Sequence, residues 1–280
     1  MLKAIKTKVG DKNYNIHMER FESVAEMVTM NNRRTMNSGG WHDVRNSGGD
    51  WEGVKDFSEA ENLLVHGYQP TVDAMRGVWK GKSGEVGRFK FDNAVAGFAP
   101  IVPLALKGVP NCMINMSMKP IKAKVLDVYY DITVSCNVSS EDIIKLGQSI
   151  LGSVIELERE GYRFNLYGVQ TYSDSHSCDM LVVKLKSASQ PLDLKRVSFP
   201  LTHTAFFRIF GFDWYSRVPD GTFRFGYGNA MGYNFNDNAM NTMAKNIFGK
   251  NSVYITASHA VGKDKEQIKE VISNANSKER

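Results

Sequence analysis

Cysteine is scarce in this chain, and long apolar runs are missing. Three cysteines in 280 residues, Cys112, Cys136 and Cys178, are too few and too scattered for a disulfide framework. They point to a reducing compartment, a cytosol. No apolar run reaches the ~18–20 residues that cross a bilayer. The N-terminus, Met1-Leu-Lys-Ala-Ile-Lys-Thr-Lys8, is basic but lacks the apolar centre of a signal peptide. No membrane partner is expected. Familiar catalytic signatures are missing as well. There is no Gly-x-Ser-x-Gly elbow, no His-x₃-His and no Cys-x₂-Cys. Gly77-Val-Trp-Lys-Gly-Lys-Ser83 is one residue short of a phosphate loop, and no strand leads into it. Gly226-Tyr-Gly228 with Gly232 misses the dinucleotide-binding spacing.

What is present is an ordinary globular balance, 42% apolar and 23% charged, enough for one large domain or a domain with an annex. The net charge of +5 is unevenly spread. Arg76, Lys80, Lys82, Arg88 and Lys90 face Glu85 alone within Arg76–Lys90, and Lys107, Lys119, Lys122 and Lys124 have no acid among them. Such clusters attract a polyanion or simply solvate a face. Pro100, Pro103, Pro110 and Pro120 interrupt the apolar stretch Phe98–Pro120, which also carries Met113, Met116 and Met118.

Residues 1–94 read as an α+β annex. Short strands at 2–9 and 14–18 flank Gly10, and a Ser23/Glu26 capping box opens a helix over Val24–Met30. A glycine- and asparagine-rich loop follows. A second box, Ser58/Glu61, opens a helix that stops at Gly67, and Thr71 caps a third. Residues 95–280 read as the core. Lys124–Val134 is strand-like. Ile143, Leu146, Ile150, Leu151, Val154 and Leu157 recur at helical spacing up to Gly161. Tyr162–Tyr172 is a further strand. Met180–Lys186 alternates, which predicts one solvated face at an edge or beside an antiparallel neighbour. Thr202–Phe212 reads as a helix, and a helix–strand–helix ending over 238–273 completes the alternation. The fold class is α/β: a three-layer Rossmann-like or von Willebrand factor A-like core with a small N-terminal annex.

The sharpest chemical pattern is Asp131-x-Thr133-x-Ser135 at the end of the first core strand. A carboxylate and two hydroxyls at alternate positions share a strand face, where they suit a hard cation such as Mg²⁺. An Asx or Ser cap of the strand end is the plainer alternative. Asp-x-Thr-x-Ser resembles the metal-ion-dependent adhesion site of von Willebrand factor A domains, with threonine in place of the middle serine. That resemblance also implies a threonine and an aspartate from later loops, for which Thr171, Asp174 and Asp179 are the candidates. His203, His259 and His176 are possible bases or ligands, and Cys136 a possible nucleophile or a small buried thiol. Arg33, Arg34, Trp41, Arg45, Trp51, Trp79, Lys80 and Lys82 interleave aromatics with cations, as a surface that stacks single-stranded bases would.

Several motifs together resemble a family of bacteriophage and prophage proteins. They are Asp127-Val-Tyr-Tyr-Asp131, Gly161-Tyr-Arg-Phe-Asn-Leu166, Gln190-Pro-Leu-Asp-Leu-Lys-Arg196 with the following Phe-Pro-Leu-Thr-His203, Trp51-Glu-Gly-Val-Lys-Asp-Phe57 and Glu59-Ala-Glu61. The resemblance implies a phage-encoded protein in the host cytoplasm and carries over no catalytic residue. The expectation is a non-catalytic accessory protein that docks a protein partner through loops at the strand ends. The alternatives are a single-stranded nucleic-acid-binding factor in phage replication or transcription, and a metal-dependent hydrolase.

Overall fold

The computed structural model describes residues 2–37, 44–46, 48–79, 87–120, 124–218 and 228–274. In chain order the strands are β1 (Lys3–Val9), β2 (Lys12–Phe21), β3 (Gly87–Ala94), β4 (Ala99–Pro100), β5 (Met113–Pro120), β6 (Lys124–Asp131), β7 (Tyr162–Ser173), β8 (Ser177–Lys186) and β9 (Ser252–Thr256). The helices are α1 (Val24–Arg33), α2 (Phe57–His66), α3 (Gln69–Trp79), α4 (Val102–Leu106), α5 (Ser140–Arg159), α6 (Leu194–Thr202), α7 (Phe212–Arg217), α8 (Asp237–Phe248), α9 (Ala257–Ala260) and α10 (Lys265–Asn274).

Six strands form one sheet in the order β1-β2-β8-β7-β6-β9. β9, β6 and β7 are mutually parallel, β8 runs antiparallel to β7, and β2 runs parallel to β8. Alternate residues of each strand point to opposite faces, and both faces are covered. Leu126, Val128 and Tyr130 enter a core shared with α5 and α6, while Tyr129, Tyr167 and Val182 enter a second core with Met240 and Met243 of α8. Helices on both faces of a mixed sheet make the predicted α/β layering.

The boundary expected at residue 94 does not divide the chain that way. β2 pairs with β8 from Asn15↔Ser177 to Phe21↔Val183, so the first two strands complete the main sheet. α2 and α3 pack on α6, and α3 also touches α5. Local turn signals revealed the hairpin but not its long-range partner. What does stand apart is residues 87–120. β3, β5 and β4 form their own antiparallel sheet, and among those of its residues whose burial is described none belongs to either core.

β8 has the expected antiparallel neighbour in β7, but not the expected solvated face. It lies inside the sheet, and Lys186 is buried rather than solvated. Its ammonium pairs with Glu158 at 2.8 Å and donates to the carbonyls of Phe164 and Ser187, both at 3.2 Å. A buried charge is tolerated where it is answered in this way. The predicted helix Thr202–Phe212 is broken at His203, continues as a π-turn over Phe206–Gly211 and resumes as α7. The second capping box lies two residues earlier than expected: Asp56 accepts from the Glu59 amide at 2.8 Å, and Glu59 accepts from the Lys55 amide at 2.6 Å.

α5 and α6 meet at Gly147. A Cβ there would stand 2.2 Å from the Leu201 carbonyl oxygen and 2.7 Å from Thr202 Cα. Helix propensity alone favours alanine over glycine by about 1 kcal/mol. We therefore expect Gly147→Ala to invert that preference and destabilise by about 1–3 kcal/mol in urea unfolding, since backbone cannot yield cheaply. A stabilised variant would show that the helices do not approach this closely.

Candidate functional site

β6 ends between two parallel neighbours, β7 on one side and β9 on the other. The chain leaves β6 through α5 toward β7, whereas β9 is added on the opposite flank. Open α/β sheets form their crevice at such a reversal, beyond the C-terminal strand ends. Asp131 is the last residue of β6 and pairs in register with Val169 and Thr256. Its side chain is fully buried.

Three protein donors answer this carboxylate. Oδ1 accepts from the Thr133 amide at 3.1 Å, and Oδ2 accepts from the Thr171 hydroxyl at 2.8 Å and the Tyr254 hydroxyl at 3.1 Å. The Thr133 hydroxyl in turn accepts from the Thr171 amide at 2.8 Å. The Thr171 hydroxyl accepts from the Met231 amide at 3.0 Å, which draws the segment after Gly228 across the strand ends. Above this layer the Ser135 amide donates to the Tyr233 hydroxyl at 2.7 Å. Burial pushes the Asp131 carboxyl up to about 6, against hydrogen bonds from Thr171, Thr133 and Tyr254 that pull it down. The same burial, with Asp131 close by, pushes the Tyr254 hydroxyl well up, so it stays a donor.

The predicted Mg²⁺ residues are therefore unequal in position. Asp131 and Thr133 are buried and bonded inward, while Ser135 sits half-buried at the rim. An ion on Asp131 would have to displace Thr171, Tyr254 and the Thr133 amide, so the three residues as arranged do not fit a hard cation. Of the later candidates, Thr171 does reach Asp131. Asp174 instead accepts from the His176 and Ser177 amides in the β7–β8 turn, and Asp179 pairs with His17 at 3.2 Å. Among the described residues, no three His, Cys, Asp or Glu side chains converge as a metal-holding group. Tyr254 escaped the sequence reading. It stands two residues before Thr256, the register partner of Asp131, and so shares its face; only the strand order exposes that signal.

The rim above the carboxylate is polar. Cys136 and Asn137 are exposed, and Tyr233 is exposed beside them. On the β9 side, Asp237 accepts from His259 Nδ1 at 2.7 Å, with Lys263 at 3.4 Å and the Thr256 hydroxyl at 3.4 Å. His203 belongs to no site. Burial pushes it down to about 4, and its Nδ1 accepts from the Ala205 amide at 3.1 Å, as a neutral ring can.

The candidate nucleic-acid residues do not make a common free surface. Arg34 clamps the buried Glu19 at 2.7 and 2.8 Å, and Arg45 grips the buried Asp213 twice at 3.1 Å. Trp51 lies under the Arg208 guanidinium, 4.4 Å from its ring centre, and beside Phe212. Arg33 is exposed. Trp41, Lys80 and Lys82, and the side chain of Trp79, lie outside the described residues.

Asp131 has a testable signature. Its folded value lies above the usual carboxylate value. Between that value and about 6 the folded chain holds a proton the unfolded chain has lost, so stability falls as pH rises through that window. The contribution amounts to about 3 kcal/mol across the window. Asp131→Asn is expected to remove this slope in urea unfolding measured from pH 4 to 7. Asp131→Leu, which leaves the Thr133 amide and two hydroxyls unanswered, is expected to cost about 2–4 kcal/mol at pH 7. A leucine variant as stable as the parent would sink this account of the carboxylate.

No curated protein matches the chain, and no solved structure matches it. A protein-family model does, over residues 4–276, from the first strand to the last helix. That match spans nearly the whole sequence: the chain belongs to the family described as Domain of unknown function (DUF7192).

Proposed function

We propose that this protein is a non-catalytic binding module, phage-encoded as its motifs imply, that docks a protein partner through the loops beyond the C-terminal ends of β6 and β9. The observation that carries this reading is the pre-organised rim over Asp131. Two separate loops are tied together by the Ser135 amide and the Tyr233 hydroxyl, over a hydrogen-bonded floor. Docking loops gain affinity when their geometry is fixed beforehand, because less conformational freedom is lost on binding. The groups offered upward are an amide, a phenol and a thiol at Asn137, Tyr233 and Cys136. They suit the mixed polar surface of a protein better than a dense polyanion, which recruits guanidinium and ammonium groups. The host cytoplasm is where such a partner would be met.

Site-specific photocrosslinking in infected bacteria tests this. A photoreactive residue at Asn137 or Tyr233 is expected to give one discrete protein adduct, and the same probe at Thr242, exposed on α8, none. No adduct at the rim, or equal adducts at all three positions, would refute the proposal. A rim adduct destroyed by nuclease would favour the nucleic-acid-binding alternative instead.

A further inference from the structure

Residues 87–120 carry most of the exposed large apolar side chains among the described residues. Leu106 is 83% exposed, Val95 72%, Phe98 66%, Phe91 62% and Val102 58%. Scattered exposed apolar residues need no explanation, but a contiguous set marks an interaction surface. At its centre Phe91, Phe98 and Met116 adjoin one another. Phe91 and Met116 are register partners on β3 and β5, Phe98 lies 6.4 Å from Phe91, and α4 presents Val102 and Leu106 in the turn that joins β4 to β5. The arm is held by its own backbone. β3 pairs with β5 over eight positions, and the Phe98 and Ile101 amides donate to the Ile114 and Cys112 carbonyls at 2.9 and 2.6 Å.

The arm is also basic. Arg88, Lys90, Lys107 and Lys119 stand against Asp92 alone within residues 87–120. Along the sequence the arm therefore carries a net positive charge, which a partner of opposite sign would answer.

We propose that residues 87–120 form a docking arm that seats in an apolar groove edged by carboxylates on a protein partner. Four occupants compete for such a surface, and the structure favours this one. A second copy of the chain would bring two basic arms together, with Asp92 the sole acid on each. A nucleic acid would match the charge and could stack on Phe91 and Phe98, but Val95, Val102, Leu106 and Met116 are aliphatic and offer it nothing, and such interfaces are polar. A bilayer would take the apolar side chains, but the sheet has open edges at β3 and β4, whose backbone groups would be unsatisfied in hydrocarbon. An apolar groove with an acidic border answers both the side chains and the charge. Edge pairing contributes little at β4, which is short and contains Pro100, a residue with no amide to donate. The occupant therefore engages the face of the arm. This surface belongs to a different part of the fold from the rim beyond β6 and β9, so either can fail alone.

The test uses the full chain as bait for a displayed library of short random peptides. Recovered peptides are expected to combine large apolar residues with aspartate or glutamate. The double variant Phe98→Ser/Leu106→Ser is expected to weaken them by about tenfold or more, as loss of central apolar anchors does. Val65→Ser, which removes an exposed apolar side chain on α2, is expected to leave them unchanged. Lys107→Glu, a surface change with little bearing on folding, is expected to weaken the acidic peptides selectively, and it carries the test if the double variant misfolds. Peptides that bind the double variant and Lys107→Glu as tightly as the parent would overturn the proposal, as would an empty selection. So would a dimer in sedimentation velocity that the double variant abolishes, which would make a second copy the occupant. Retention on single-stranded oligonucleotide or anionic phosphatidylglycerol vesicles, lost in the double variant, would overturn it in favour of those ligands.

Discussion

A carboxylate enclosed at the C-terminal end of β6 must be answered by donors from its surroundings, and that requirement organises the top of the sheet. Asp131 receives one donor from its own strand exit, one from β7 and one from β9. An ionised group buried without partners is far too costly to retain. The three donors fix where β6 stops and where its neighbours stand relative to it. Thr171 does the most here, because a hydroxyl donates and accepts at once. It gives its proton to Asp131 and takes the Met231 amide, which sets the segment over the crevice. The rim at Ser135, Asn137 and Tyr233 inherits its geometry from this buried layer. The upward shift of Asp131 to about 6 shows that the donors do not fully offset burial. The carboxylate is retained at a net cost, which the neighbouring hydrogen bonds reduce.

The α/β layering was legible because period-two and period-3.6 patterns act over short range. The strand through Asp131, the helix capped at Ser139 and the strand from Tyr162 all stand where those patterns put them. What could not be read was anything decided by residues far apart. The sequence marks Asp131, Thr133 and Ser135 as three oxygen-bearing side chains on one strand face. Whether that face opens to solvent depends on Met231, a hundred residues further on. Arg34 and Arg45 look like free cations in a polar loop, and their acids, Glu19 and Asp213, belong to β2 and α7. Lys186 follows a clean alternation and is buried all the same, because Glu158 of α5 and the Phe164 and Ser187 carbonyls enclose its ammonium. Each of these outcomes rests on a pairing that local sequence does not encode.

The two halves of the molecule treat charge in opposite ways. In the body, buried ions are matched inside the fold: Arg34 with Glu19, Arg45 and Arg217 with Asp213, and Lys186 with Glu158. Such matching spends side chains on geometry and leaves them unavailable to a ligand. The arm does the reverse, gathering cations with one acid and leaving apolar groups in water. A surface of that kind is a liability unless something covers it, and the fold limits the danger. β1, an edge of the main sheet, carries Lys3, Lys6 and Lys8, which discourage strand addition. β4 is short and holds a proline. β3 and β9 remain open edges, and the face of the arm carries most of the exposed large apolar side chains among the described residues. Its exposure is better understood as half of an interface than as a defect of packing.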